Sequence, residues 1–171
     1  MGTRLLSEYS IKQRHPYLRY VRVHTLGRHR AAIYAWNNDL QLPEHQMATL
    51  KQFAADHLLP HVCFAVKPYH MVQTDEVPPV RESPKPIVDA AMNRSLNQQG
   101  IVEVMQSMFP SSRLTFNKYD FNTATVHFDV HSTSPVTDIE KELVDQYLYE
   151  LIPIGSRSSV TYLQCSSQKS P

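Results

Sequence analysis

Glycine is scarce in this chain, with only four residues in 171. Gly2, Gly27, Gly100 and Gly155 lie too far apart to build a GxGxxG loop, a Walker loop or the GxxG clamp of KH domains. The GxSxG, HExxH and Cys/His zinc patterns are missing as well. These absences exclude the common phosphate-loop, hydrolase and zinc-enzyme classes, and we expect a non-enzymatic protein with no catalytic residue and no cofactor.

Cysteine and long apolar runs are also scarce. Cys63 and Cys165 form neither a CxxC motif nor a disulfide framework, and we expect a buried strand thiol at Cys63 and a tail thiol at Cys165. The chain has no run of about 18 apolar residues and no apolar stretch near its start, so we expect neither a membrane span nor a signal peptide. These features favour a location in the cytoplasm, or within a particle that is assembled there.

Hydrophobic residues make up 42% of the chain, enough for a folded core, and their patterns predict a first lobe. Residues 17–26 and 30–36 are rich in β-forming residues and flank a turn, so they predict a hairpin. Alternation at residues 62–67 predicts a third strand. Between them, a helix that ends near residue 60 is predicted by apolar residues at helical spacing: Met47, Leu50, Ala54 and Leu58.

A proline-rich segment separates this lobe from a second one. Residues 77–86, VPPVRESPKP, contain four prolines and predict a stiff linker. Residues 87–109 have a helical pattern with a break expected near Gly100. Strands are predicted at 113–119, 123–130 and 160–163. A helix before the last strand begins with the capping box formed by Thr137 and Glu140.

The fold class that follows is α+β, with two small lobes that are each β-β-α-β and are preceded by a helical segment. The domain boundaries are a basic N-terminal lobe at 1–76, the linker at 77–86 and a C-terminal lobe at 87–171. Both lobes place an apolar-apolar-proline triplet after the helix, Leu58-Leu59-Pro60 and Leu151-Ile152-Pro153. The shared order favours an internal duplication, and chance similarity of two α+β lobes is the alternative.

The near-neutral charge hides two regions of opposite sign. Residues 1–38 contain seven Lys and Arg against Glu8 alone, a net of +6, and the rest of the chain sums to −5. The helix predicted before the last strand is acidic, and we expect it to contact the basic region of another copy head to tail. The alternative is that both charged faces are only solvated and bind no partner. The acidic residues of that helix are Asp138, Glu140, Glu142, Asp145 and Glu150.

The strands of the first lobe have one apolar face and one aromatic and basic face. The apolar face, which predicts the core side, consists of Val21, Val23, Ala31, Ile33, Ala35, Phe64 and Val66. Basic groups between aromatic rings suit a protein interface or single-stranded nucleic acid, and cover by the other lobe is a third alternative. The residues of this predicted binding surface are Arg19, Tyr20, Arg22, His24, Arg30, Tyr34, Trp36, Lys67 and Tyr69.

One strand of the second lobe carries a weak candidate for a metal site. His127, Asp129 and His131 alternate with apolar residues and project from one face. At about 3.3 Å per residue the two histidines stand about 13 Å apart, too far to share one ion. We therefore expect no metal, and a polar sheet face with imidazoles beside a carboxylate.

These features together predict a non-enzymatic structural or interaction protein, a subunit of a larger multi-protein assembly with a basic N-terminal contact surface. Its partners would be other protein subunits, including copies of itself; the alternative is a single-stranded nucleic-acid-binding module. The element order is similar to that of ring-forming modules of secretion systems, and the closing segment from Leu151 to Gly155 resembles the end of phage baseplate proteins. Both resemblances cover at most the second lobe and imply an assembly of virion or secretion type.

Overall fold

The chain folds as an α+β protein of two lobes, and the computed structural model describes residues 2–166. The first lobe contains α1 (Arg4–Arg14), β1 (Leu18–Gly27), β2 (Arg30–Asn37), α2 (Glu44–His57), β3 (Cys63–Pro68) and α3 (Met71–Thr74). The second lobe contains α4 (Lys85–Ala91), α5 (Gln98–Met108), β4 (Ser112–Asp120), β5 (Thr125–Ser132), α6 (Asp138–Leu151) and β6 (Arg157–Gln164). The predicted fold class is confirmed. Residues 167–171 of the predicted C-terminal lobe lie outside the described residues.

Each lobe has one three-stranded sheet with the same topology. In the first sheet β1 and β2 form an antiparallel hairpin, and β3 runs parallel to β2. In the second sheet β4 and β5 form the hairpin, and β6 runs parallel to β5. Because parallel neighbours need a crossover connection, α2 and α6 link the second strand to the third in their lobes.

Corresponding elements of the two lobes begin at an almost constant distance along the sequence. Four pairs begin 94 residues apart: α1 and α5, β1 and β4, α2 and α6, and β3 and β6. The remaining pair, β2 and β5, begins 95 residues apart. Helices α1 and α5 both have 11 residues, and α2 and α6 both have 14. This constant spacing supports the duplication over chance similarity.

Capping residues decide where the helices begin. Thr137 and Glu140 form the predicted capping box at the start of α6. Asn97 accepts a hydrogen bond from the Gly100 N–H and starts α5. The break in the helical segment therefore lies at residues 92–97, before the expected position near Gly100, and Gly100 is inside α5.

The proline-rich segment is shorter than expected as a linker and makes contacts with both neighbouring lobes. Helix α4 already begins at Lys85 after the N-cap Pro84, since a proline is well tolerated at the start of a helix. Val77 is buried against the first sheet. The Gln146 side-chain amide donates to the Glu82 carbonyl, at 3.1 Å, and so connects the segment to α6.

Two main cores lie on the helix-covered faces of the sheets. All seven residues that were expected on the core side of the first sheet pack there. The second core is built from α4, α5, α6 and the second sheet. Cys63 is exposed, contrary to the expected buried thiol, because it projects from β3 on the face opposite its neighbour Phe64, which packs into the core.

Among residues 2–166 no helix combines the length and the apolar composition that a membrane crossing needs.

Candidate interaction surface

A segment of the chain itself covers much of the face of the first sheet that was predicted to bind a partner. This segment, residues 69–80 and here called the strap, contains α3 and the first prolines. Val77 of the strap packs on Ala32 and Tyr34 in a small core of its own. The Tyr34 side chain is fully buried as a result. The cover is therefore intramolecular. The strap supplies it, and not the other lobe, which was the third alternative from the sequence.

Asp75 connects the strap to the sheet through two hydrogen bonds. Its Oδ2 accepts from the Tyr34 hydroxyl at 2.6 Å and from Lys67 Nζ at 2.7 Å. The hydrogen bond from Lys67 is the main cause of the lowered pKa of Asp75, and the one from Tyr34 adds to it. Burial, together with the bond to Asp75, raises the pKa of Tyr34. Lys67 is thus engaged by an internal carboxylate.

Arg22 lies beneath the end of the strap. It is 9% exposed, and its Nη2 donates to the Pro78 carbonyl at 2.7 Å. Its Nε has no hydrogen-bond partner among the described residues. Arg22 and Tyr34 are therefore inside the folded chain and do not form part of an exposed surface.

Four rings remain together at the edge of the strap and form what we call the aromatic patch: Tyr20, Trp36, Tyr69 and His70. The ring centroids of Tyr20 and Tyr69 lie 5.3 Å apart, and those of Trp36 and Tyr69 lie 5.5 Å apart. Tyr20 and Trp36 meet edge to face at 6.3 Å, and His70 lies 6.0 Å from Trp36. The Arg19 guanidinium carbon stands 5.4 Å from the Tyr20 ring centroid. The patch is partly exposed, with Tyr20 at 37%.

The other two residues of the predicted surface lie apart from the patch. His24 faces the second lobe, where its Nδ1 is 3.2 Å from the Tyr149 hydroxyl. Burial lowers the pKa of His24, and the positive charges of Arg22 and Arg157 lower it further. Arg30 is exposed at the start of β2. The predicted surface is therefore divided between the patch, the covered face, the contact between the lobes and the hairpin end.

The acidic helix meets the basic N-terminal region within one chain. Arg4 on α1 donates to Glu150 on α6 through Nε at 3.0 Å and Nη2 at 2.9 Å. Its Nη1 donates to Glu8 at 2.9 Å. Arg4 and Glu150 are 3% and 4% exposed, so this is a buried charge network between the lobes. Part of the charge complementarity that was expected between two copies, from basic region to acidic helix, is therefore satisfied within one chain.

The remaining acidic residues of α6 lie closer to solvent. Glu140 reaches back to the Thr137 N–H at 2.8 Å in the capping box. Asp138, Glu142 and Asp145 are exposed. These three are the members of the predicted contact helix that a second chain could reach.

The histidines and the aspartate of β5 share one half-buried face of the second sheet. Asp129 accepts from the Asn117 amide at 2.9 Å, and His131 Nε2 is 3.5 Å from the Thr115 hydroxyl. Among residues 2–166 no group of three or more His, Cys, Asp or Glu side chains is arranged to hold a metal ion.

The sequence reasoning missed His70, which completes the aromatic patch, and Glu8, which joins the Arg4 network. His70 follows Tyr69 just after β3, so extending the predicted face by one residue beyond the strand would have found it. Glu8 stands four residues after Arg4 on α1, the spacing at which helical side chains meet.

Comparison of the chain with protein-family models, with curated proteins and with solved structures finds no match.

Proposed function

We propose that this chain is a non-enzymatic interaction protein, a subunit of a larger assembly of virion or secretion type, and that the aromatic patch is its contact surface. The partner is another protein subunit, in the first place a second copy of the chain. The assembly lies in the cytoplasm or within a particle that is formed there. The observation that carries the proposal is the partly exposed group of Tyr20, Trp36, Tyr69 and His70 beside Arg19.

The composition and the rigidity of the patch support a protein contact. Tyr, Trp and Arg are the residues that contribute most binding free energy at protein interfaces. The rings contact one another, so their side chains are already ordered, and less conformational entropy is lost when a partner binds.

The test is a mass measurement by sedimentation equilibrium over a series of concentrations. We expect the wild type to exceed the mass of one chain, 19.7 kDa, increasingly with concentration. Tyr20→Ala should return the mass to that of one chain. Tyr9→Ala is the matched control, because Tyr9 is 46% exposed on α1 outside the patch, and it should behave like the wild type. A wild type that stays at one chain throughout contradicts self-association through the patch.

A second candidate function, binding of single-stranded nucleic acid, rests on the same rings. Bases stack on exposed aromatic side chains while nearby cations meet phosphates, and Arg19 beside Tyr20 has this arrangement. Trp36 is the only tryptophan, so its fluorescence reports on the patch directly. Titration with single-stranded oligonucleotides across a salt series should quench this fluorescence most at low salt; no quenching there excludes this function.

A further inference from the structure

A cavity lies beside the tip of the β1–β2 hairpin, where this hairpin meets the second lobe. Its volume is about 390 Å³, within the range of small-ligand pockets. The hairpin tip forms one wall, and the β4–β5 turn with the starts of β5 and β6 forms the other. We call this cavity the arginine pocket, because three arginines line it: Arg28, Arg30 and Arg157.

The arginine pocket contains three positive charges and no carboxylate. Its remaining lining residues are uncharged: Leu26, Gly27, Thr123 and Thr125. Among residues 2–166 no Asp or Glu forms an ion pair with any of the three arginines. The acidic residue nearest to Thr123 in sequence, Asp120, accepts instead from the N–H groups of Asn122 and Thr123. Neighbouring guanidinium groups without a counter-charge repel one another, so an anion that binds there stabilises the folded chain.

The guanidinium of Arg157 is positioned by the hairpin itself. Its Nη2 donates to the Leu26 carbonyl at 3.2 Å. A Cβ on Gly27 would lie 2.9 Å from both Nε and Nη2 of Arg157, so the missing side chain lets the guanidinium lie against the hairpin backbone. Arg157 is exposed, and in the described chain its side chain makes no other hydrogen bond. Its remaining donors can therefore meet an anion.

Arg28 lies at the hairpin tip in a conformation that its side chain does not favour. A two-residue turn, Arg28-His29, joins the strands, because Gly27 pairs with Arg30. The φ angles of Arg28 and His29 are 47° and 60°, in the left-handed region that Asn-Gly normally occupies in such turns. The second lobe holds this turn, since the His29 N–H donates to the Gly155 carbonyl at 2.9 Å. Backbone strain that the surrounding fold maintains is concentrated at functional sites, and here it places a guanidinium at the pocket.

Charge and geometry select the anion. The planar guanidinium group forms paired hydrogen bonds with phosphate oxygens. A single phosphate group carries a charge of about −1.5 to −2 near pH 7, and two linked groups carry about −3. The three arginines are therefore balanced best by two linked phosphate groups.

We propose that the arginine pocket binds the diphosphate group of a small molecule, with the guanidinium groups of Arg28, Arg30 and Arg157 as its hydrogen-bond donors. The inference is independent of the proposed contact surface, because neither Arg19 nor any residue of the aromatic patch lines the pocket.

The test is isothermal titration calorimetry with pyrophosphate at about 0.15 M sodium chloride, where exposed charges that lie far apart are screened. We expect one pyrophosphate per chain. Inorganic phosphate and acetate should each bind at least about tenfold more weakly, because each carries less charge and forms fewer charge-assisted hydrogen bonds. ADP distinguishes the two sources of the group. Tighter binding of ADP than of pyrophosphate indicates a nucleoside diphosphate, and equal or weaker binding indicates the free anion.

Substitutions of exposed arginines assign the site. Arg30→Gln should weaken pyrophosphate binding by at least about tenfold. Arg113→Gln is the matched control, because Arg113 is exposed on β4 outside the pocket and the change removes the same charge. It should bind pyrophosphate like the wild type.

Arg28→Asn separates binding from folding. It should weaken pyrophosphate binding as Arg30→Gln does, and it should raise the urea concentration at the midpoint of unfolding, because asparagine tolerates the left-handed conformation. The proposal is overturned if pyrophosphate does not bind, if phosphate binds as tightly as pyrophosphate, or if Arg28→Asn and Arg30→Gln bind it like Arg113→Gln.

Discussion

At the scale of single residues, a buried histidine at the end of α1 distinguishes the first lobe from the second. His15 ends α1 with φ −124° and ψ 70°, and Phe109 ends α5 with φ −128° and ψ 69°. The rings of Tyr17 and Phe53 meet the His15 ring edge to face, and its Nε2 is buried without a partner in the described chain. The second lobe thus has an apolar ring where the first has a titratable one.

This difference predicts a pH dependence of the free energy of unfolding. Burial lowers the pKa of His15, and the charge of Arg14 lowers it further. Below pH about 6.5 the unfolded chain therefore binds more protons than the folded chain, so stability decreases as the pH decreases through that value. His15→Phe should remove this part of the pH dependence and be more stable than the wild type by about 1 kcal/mol at pH 5.5.

The measurement is the urea concentration at the midpoint of unfolding, for His15→Phe and for the wild type, at pH 7.5 and at pH 5.5. Some dependence should remain in the variant, because burial also lowers the pKa of His24. His45→Gln is the control, since His45 is exposed at the start of α2. An unchanged difference between the two pH values in His15→Phe would show that the imidazole at this position does not limit stability.

At the scale of elements, the strap determines which part of the first sheet is available to partners. Val77 is 9% exposed and packs on Tyr34, whereas Val80, three residues later, is 50% exposed. Val77→Ser should lower the free energy of unfolding by about 2 kcal/mol, because it removes apolar burial and places a hydroxyl in the small core. Val80→Ser should change it by less than about 0.5 kcal/mol.

Limited trypsin digestion gives a second measurement of the same prediction. Cleavage after Arg81, the residue that follows the strap, should be faster in Val77→Ser than in Val80→Ser because the strap detaches from the sheet more often. Equal cleavage rates and equal stabilities would mean that Val77 does not hold the strap in place.

The strap also shows which elements could be predicted from sequence. The capping box of Thr137 and the alternation of β5 are local signals, and both are confirmed. The cover over Tyr34 has no such signal, because strand alternation distinguishes two faces but does not say which distant segment packs on the second one. The position of Arg22 follows from the same contact, since its partner Pro78 is 56 residues away.

At the scale of the whole molecule, the second lobe contributes a buried side chain to the core of the first, whereas, among the described residues, the first lobe contributes only the partly buried Leu5 to the second core. Ile154, from the second lobe, is buried in the core of the first. The His29 N–H donates to the Gly155 carbonyl at 2.9 Å, and the Gly155 N–H donates to the Thr25 hydroxyl at 3.0 Å. Gly155 has a φ of +83°, and a Cβ there would lie 3.2 Å from the His29 Cα, so glycine permits the close approach.

This asymmetry predicts different behaviour for the separated lobes. The buried residues of the second core all lie between Ile87 and Ile152, so a fragment of residues 82–171 should unfold cooperatively in urea. A fragment of residues 1–81 loses Ile154, worth about 2 kcal/mol of apolar burial, and should be largely unfolded until the other fragment is added. Far-ultraviolet circular dichroism of each fragment and of the mixture measures this. If 1–81 folds alone as stably as 82–171, the contact between the lobes joins two independent domains, and Ile154 is not required by the first core.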